Sequence, residues 1–139
     1  MLPKWHILFG AIFSLILYLF LDVSLINSAI VFLASVLIDF DHYLFIVKRN
    51  KDISLKKAYI WHKNMGQHHK PVVHIFHTVE FLVLIFILSL FSTFFLFILI
   101  GMLFHSIFDL IELGYNKRIS CREYFLTRYL LTKDKSKYL

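Results

Sequence analysis

The sequence predicts an all-α integral membrane protein, a bundle of four transmembrane helices with both termini on the cytoplasmic side. Its 139 residues are 59% hydrophobic with a mean hydropathy of +0.72, whereas soluble domains are usually about half apolar. The apolar residues fall in long runs, and about 20 such residues cross a hydrocarbon core of about 30 Å. The basic residues lie between or beyond these runs.

The apolar runs divide the chain into four spans within a single membrane domain. The predicted spans are residues 5–22, 25–47, 71–90 and 93–115, with a basic loop at 48–70 and a tail at 116–139. The third and fourth spans are separated at the weak turn signal SLFST. Amphipathic stretches in the loop and the tail predict interfacial segments. In the tail, Ser120 and Glu123 have the spacing of a capping box at a helix start.

The charge distribution predicts the orientation of the chain. Every lysine and arginine except Lys4 lies in the loop at 48–70 or in the tail, and Lys4 itself precedes the first span. With four spans, all these cations fall on one side, which the positive-inside rule makes cytoplasmic. The protein is therefore expected in the inner (cytoplasmic) membrane, where the basic segments contact anionic headgroups. Nucleic acid is not an expected partner, and a single cysteine excludes an internal disulfide.

Ionisable side chains interrupt the apolar runs close to their cytoplasmic ends. A charge at a bilayer centre costs about 3 kcal/mol on insertion scales, so such residues are rare and usually functional. All four predicted spans carry them at a similar depth, which four unrelated substitutions would not produce. The residues in question are His6, Asp39, Asp41, His42, His69, His74, His77, His105, Asp109 and Glu112.

This mixture of imidazoles and carboxylates predicts a metal site. Such donors suit zinc, manganese or iron, with zinc the first choice and either one or two ions bound. The main predicted ligands are Asp41, His42, His74, His105 and Asp109, and the further ligands or outer contacts are Asp39, His69 and His6. Asp39 or Glu112 could serve as a general base, and Lys70 could hold a substrate phosphate.

Helical spacing supports a common face in the fourth span but leaves a question in the second. Gly101 precedes His105 by one turn, which predicts close approach of a neighbouring helix. Asp39 and Asp41 would point about 200° apart on a regular helix. Either the helix loosens there, or only one of the two shares a face with His42. Glu80 lies deep in the third span, and its role as a functional acid, a protonated acid or a partner of His77 stays open.

Four short motifs carry a resemblance to a known family. They are HILFG at His6–Gly10, DFDH at Asp39–His42, HKPVVH at His69–His74 and GMLFHSIFD at Gly101–Asp109. In this order and spacing the chain resembles the YdjM-like inner-membrane metal-dependent hydrolases. Their pattern has an early His with a small residue four positions later. It continues with D-[IL]-D-H, H-R-G-x-T-H-S and G-x-x-S-H-x-x-x-D.

The sequence also departs from that pattern beside the ligand positions. The family's arginine, glycine, threonine and serine are replaced by Lys70, Pro71, Val73 and Ile75, and the Thr-Pro after the last aspartate is absent. The resemblance implies a membrane-embedded metal hydrolase, and the departures concern the substrate more than the metal ligands.

The predicted function is hydrolysis of a phosphate ester or related ester in a small anionic or lipid-linked substrate. Two alternatives stay open. A metal or proton transporter would use the same ligands, but it would need polar residues in the outer halves of the spans too. A non-catalytic membrane adaptor would need no metal at all.

Overall fold

The computed structural model describes residues 3–64 and 70–138, except for the side chain of His62. The described chain is mostly helical. Its helices are α1 (Pro3–Phe20), α2 (Leu25–Leu37), α3 (Phe40–Asn50), α4 (Leu55–Asn64), α5 (Val79–Ser89), α6 (Thr93–Tyr115) and α7 (Leu126–Leu131). Short 3-10 turns cover Ile75–His77, Ile119–Cys121 and Lys135–Lys137. Two short strands, β1 (Val72–Val73) and β2 (Arg122–Glu123), form a parallel pair.

Three helical segments are long and apolar enough to cross a membrane. They are α1, the continuous stretch Leu25–Asn50 that contains α2 and α3, and α6. Large apolar side chains such as Ile26 and Phe91 project outward from the bundle and are largely exposed. These features suggest a membrane protein, and the three segments overlap three of the predicted spans.

The third predicted span begins later than the sequence suggested. Pro71 does not open a helix, because residues 72–77 form β1 and a 3-10 turn. The helix α5 starts only after Thr78, whose side chain caps it by accepting from the amide of Phe81. At 11 residues, α5 is about 16 Å long, well short of a hydrocarbon core of about 30 Å. A fourth full-length helical span is therefore not confirmed.

The tail also differs from the predicted interfacial helix. Ser120 lies in a 3-10 turn, and Glu123 lies in β2, so the two do not form a capping box. Strand β2 pairs with β1 in the register Val72 with Arg122. The buried Glu123 carboxylate accepts hydrogen bonds from the side chain of Arg128 and the amide of Phe125. The tail is thus fixed against the segment that leads into α5. In the basic loop, α4 forms within the stretch expected to be amphipathic.

The second span breaks at Ile38–Asp39, which answers the question about the two aspartates. The amide of Asp39 donates to the carbonyl of Val36, three residues back, instead of to that of Ser35. The helix resumes as α3 from Phe40. This local tightening alters the rotation between Asp39 and Asp41, so both carboxylates point into the bundle.

Two glycines allow α1 and α6 to approach α2 closely. A Cβ atom on Gly101 would lie 2.4 Å from the carbonyl oxygen of Val31, and one on Gly10 would lie 2.4 Å from Oγ of Ser35. The predicted close approach at Gly101 is confirmed. Helix α2 therefore lies between α1 and α6 and brings their polar residues to its own broken end.

Candidate metal centre

Eight ionisable side chains converge inside the bundle where α2 gives way to α3. They are His6, Asp39, Asp41, His42, His74, His77, His105 and Asp109. The set contains every predicted ligand that the structure describes, together with His77, which the sequence offered only as a candidate. The remaining predicted ligand, His69, lies outside the described residues. The side chain of each member is at most 13% exposed.

The centre lies deep in the bundle. His6 lies on α1, Asp39 follows α2 and His105 lies on α6, and each is 13 to 15 residues from the turns at 21–24 and 90–92. At 1.5 Å per residue, that distance is about 20 to 23 Å. Uncompensated polar groups at such a depth would be costly, so they are expected to bind one another or a ligand.

The first donor group joins three helical segments. His6, Asp39, His105 and Asp109 each offer one ligand atom, and these atoms all lie within 4.8 Å of one another. Nε2 of His6 is 3.1 Å from Oδ1 of Asp109. The rings of His6 and His105 stack with centroids 3.8 Å apart.

The second donor group contains Asp41, His42 and His74. Oδ2 of Asp41 accepts a hydrogen bond of 2.8 Å from the amide of Phe76, which fixes the carboxylate. Its other oxygen, Oδ1, is buried and makes no hydrogen bond within the described part of the chain. That oxygen faces Nδ1 of His74 at 3.8 Å. A buried carboxylate oxygen with no donor is costly, and a cation would satisfy it.

A third donor group links the other two. It contains Asp39, His42 and His77. Oδ1 of Asp39 is 3.1 Å from Nδ1 of His42 and 3.7 Å from Nε2 of His77. Because Asp39 belongs to the first group and His42 to the second, the donors are contiguous. The arrangement can hold one ion or two neighbouring ions.

Two histidines turn their Nε2 atoms toward the carboxylates of the centre. Nδ1 of His105 lies 2.7 Å from the carbonyl oxygen of Ser35, the carbonyl that Asp39 does not use. A carbonyl only accepts, so Nδ1 carries a hydrogen, and Nε2 faces the carboxylates of Asp39 and Asp109 at 3.4 and 3.5 Å. Nδ1 of His77 likewise lies 3.3 Å from the Asp41 carboxylate. Its Nε2 lies 3.7 Å from each of the carboxylates that His105 faces.

The two Nε2 atoms also face each other. Nε2 of His77 and Nε2 of His105 are 3.2 Å apart. Either a shared proton or a metal ion would hold two imidazole nitrogens at this separation. Nitrogens bound to one tetrahedral zinc at about 2.0–2.1 Å would be roughly 3.3 Å apart, close to the observed separation.

Arg122 is a member of the centre that the sequence did not single out. Its Nη2 lies 2.6 Å from Oδ2 of Asp109, and its side chain is 10% exposed. The β1–β2 pair positions Arg122 there, and no local signal in the tail predicts that pairing. The sequence counted this residue only among the cations that set orientation.

Three other predicted residues lie elsewhere. Lys70 is exposed, and its ammonium donates to the carbonyl of Ser136 at 2.7 Å. Glu112 is half-buried one turn beyond Asp109 and belongs to none of the donor groups found among the described residues. Their roles as phosphate contact and general base stay predictions. Glu80 accepts hydrogen bonds from the amides of Leu126 and Thr127, so it anchors α7 and is not placed against His77.

Replacing Arg122 by alanine should weaken metal binding without unfolding the protein. The guanidinium fixes the orientation of a ligand carboxylate, and loss of such outer contacts typically lowers metal affinity by about 10- to 100-fold. The measurement is a competition titration of purified protein with a chelator. Arg118→Ala, in the same tail, is the matched control and should leave the affinity unchanged. Equal affinities for the two variants would contradict the assigned contact.

The comparisons with known proteins do not assign the chain to a family. No protein-family model, curated protein or solved structure matches the chain. The motif resemblance to the YdjM-like hydrolases accordingly stays a prediction, and the donor geometry must carry the functional argument.

Proposed function

We propose that the chain is a membrane-bound metal-dependent hydrolase that cleaves a phosphate ester or a related ester. The observation that carries the proposal is the contiguous set of buried carboxylates and imidazoles, in which Oδ1 of Asp41 has no hydrogen-bond donor within the described part of the chain. A purely structural polar cluster would instead saturate its lone pairs with donors. The motif resemblance points in the same direction.

The residues present fit one or two divalent ions. His6, Asp39, His105 and Asp109 would hold one ion, and Asp41, His42 and His74 would hold a second, with His77 between them. Zinc suits these donors best, and manganese or iron also suits them. When bound, the metal would polarise the ester oxygen and generate hydroxide from water near neutral pH.

The chain's own residues would divide the remaining tasks. Asp39 lies where the donor groups meet, so its carboxylate is positioned to take a proton from attacking water. Hydrolysis joins the water oxygen to phosphorus, and the leaving alcohol takes up a proton. Arg122 contacts Asp109 and also lines a surface cavity of about 640 Å³ with Lys117 and Arg128. This basic cavity favours an anionic substrate.

We also propose that the chain crosses the membrane four times, with both termini cytoplasmic. In this arrangement the third crossing consists of the irregular residues 72–78 followed by α5. Non-helical backbone is tolerated at membrane depth where protein buries it, and Val72, His74 and Thr78 are each at most 3% exposed. The turns at 21–24 and 90–92 contain no lysine or arginine, which suits the outer side.

Metal content tests the proposal. Wild-type protein purified in detergent should retain zinc, manganese or iron in a fixed ratio to protein, as measured by inductively coupled plasma mass spectrometry. His105→Ala and Asp41→Ala should each lower that ratio, because each removes a ligand from a different donor group. Glu112→Gln, on the same helix as His105, is the control and should leave the ratio unchanged.

The same preparations can be assayed with phosphodiester and lipid-phosphate substrates. Activity should fall with metal content in the two ligand variants. If wild type carries no metal in a fixed ratio, the chain is better described as an adaptor. If neither alanine substitution lowers the ratio, the ligand assignment is wrong.

A further inference from the structure

An apolar cavity adjoins the candidate metal centre. Its volume is about 300 Å³, and its walls come from the start of α1, from α3 and from α4. The surface that lines it is almost entirely apolar and includes Ile46, Leu55 and Ala58. Asp39 and His42, which belong to the donor groups, also line it. Two residues of the centre therefore form part of the cavity wall.

The helix that covers this cavity has the character of a membrane-surface helix. On α4, Leu55 and Ile60 are 72% and 48% exposed, and Lys56, Lys57 and Lys63 lie on the same short helix. Such a mixture of exposed apolar and basic side chains suits the boundary between lipid and water. Ala58, by contrast, is only 6% exposed and points to the cavity. A molecule entering from the lipid could reach the centre beneath α4.

The cavity's chemistry restricts what can occupy it. Its walls offer few polar groups, so a sugar or a nucleotide would lose hydrogen bonds to water without replacement. An alkyl or isoprenoid chain would lose none, and each buried methylene would favour binding about fourfold. A cavity of about 300 Å³ suits a single chain. The polar end of such a molecule would then lie beside Asp39 and His42.

We propose that the substrate is an amphiphile whose single apolar chain occupies the cavity between α3 and α4 and whose ester lies at Asp39 and His42. This inference rests on the proposed hydrolase function and names its substrate class. The anionic end of the same molecule would extend toward Arg122, which contacts another ligand of the centre, Asp109.

Binding of alkylphosphonates tests the inference without requiring turnover. Ethylphosphonate and decylphosphonate carry the same headgroup on a short and a long chain, and calorimetry in one detergent gives both dissociation constants for zinc-loaded protein. Wild type should bind decylphosphonate at least about tenfold more tightly than ethylphosphonate, because the longer chain buries several methylenes. Ala58→Trp fills the cavity and should abolish this difference while leaving the ethylphosphonate constant and the zinc content unchanged.

Two further variants complete the design. Ile60→Trp adds the same side chain on the exposed face of α4 and should keep the wild-type chain-length difference. Ala58→Leu fills less of the cavity and should reduce the difference in part, which covers the case in which the tryptophan variant does not fold.

The possible failures are distinguishable. If zinc and ethylphosphonate bind normally but wild type shows no chain-length difference, or if that difference survives in the folded Ala58 variants, the inference is wrong and the hydrolase proposal stands. If wild type binds neither zinc nor ethylphosphonate, both proposals are wrong.

Discussion

Asp39→Ala should leave the centre with little or no bound metal and with no measurable hydrolysis. The carboxylate belongs to two of the three donor groups, and its Oδ1 lies 3.1 Å from His42 and 3.4 Å from His105. Its removal takes one of two carboxylates from the first donor group and the only carboxylate from the group that links the other two. Loss of one positioned proton acceptor alone would lower the rate by roughly 10²- to 10⁴-fold, and loss of metal adds to this.

Metal content and hydrolysis rate, measured on the same preparation, check this expectation. Asp41→Ala provides an informative comparison. Asp41 belongs to only one donor group, so its replacement should remove only part of the bound metal. Asp52→Asn is the inert control, since Asp52 is paired with Lys57 in the basic loop. Retention of full metal content by Asp39→Ala would remove Asp39 from the centre.

Gly101→Ala should destabilise the bundle more than alanine at either of the other glycines that the structure describes, Gly10 and Gly114. The new Cβ would lie 2.4 Å from the carbonyl oxygen of Val31 and 2.9 Å from Cβ of Ala34. Backbone atoms of α2 cannot rotate away as a side chain can, so α6 must move. Overpacking of this kind typically costs about 1–3 kcal/mol. The shift would also separate His105 from its acceptor at Ser35, so metal should be lost as well.

Thermal unfolding in detergent, followed by tryptophan fluorescence, measures this effect. Gly114→Ala is the matched control on the same helix, because its nearest contact would be 4.0 Å away at Ile119. Alanine at that position should be neutral or stabilising by about 0.5–1 kcal/mol, because it restricts the unfolded chain and favours the helix. Equal melting temperatures for the two variants would show that α2 and α6 do not depend on close contact at Gly101.

Hydropathy alone predicted the three helical segments that are long and apolar enough to cross a membrane, because long apolar runs are a local property of the sequence. The fourth span was predicted at 93–115, and α6 covers the same residues. The irregular segment before α5 could not be predicted in this way. It depends on pairing between Val72 and Arg122, which lie 50 positions apart, and its apolar composition resembles that of a helix.

The clustering of these side chains was predictable because ionisable residues within the long apolar runs are few. Their expected common depth followed from the predicted order of the spans. Asp39 and Asp41 both point into the bundle because the helix is interrupted between α2 and α3. No proline or glycine marks this interruption, so the sequence left both arrangements of the two aspartates open. His77 was ranked lower because the family pattern has no equivalent histidine. A useful signal was present, since His77 follows His74 by three residues just before an apolar run.

The position of Arg122 could not be predicted from the sequence, for a different reason. In the tail it is one basic residue among several, and charge counting treats them alike. What distinguishes Arg122 is its place in β2, opposite the segment that carries His74 and His77. Only the tertiary pairing of two strands of two residues each gives it that role.

The contributions of α1 and β2 also have a consequence for biogenesis. His6 lies in the first helix of the chain, whereas Arg122 lies in β2, which is synthesised after the last long apolar helix, α6. A nascent chain halted before β2 would hold its histidines and aspartates without their guanidinium partner. Full affinity for a cation should therefore arise only once β2 has been synthesised and has paired with β1.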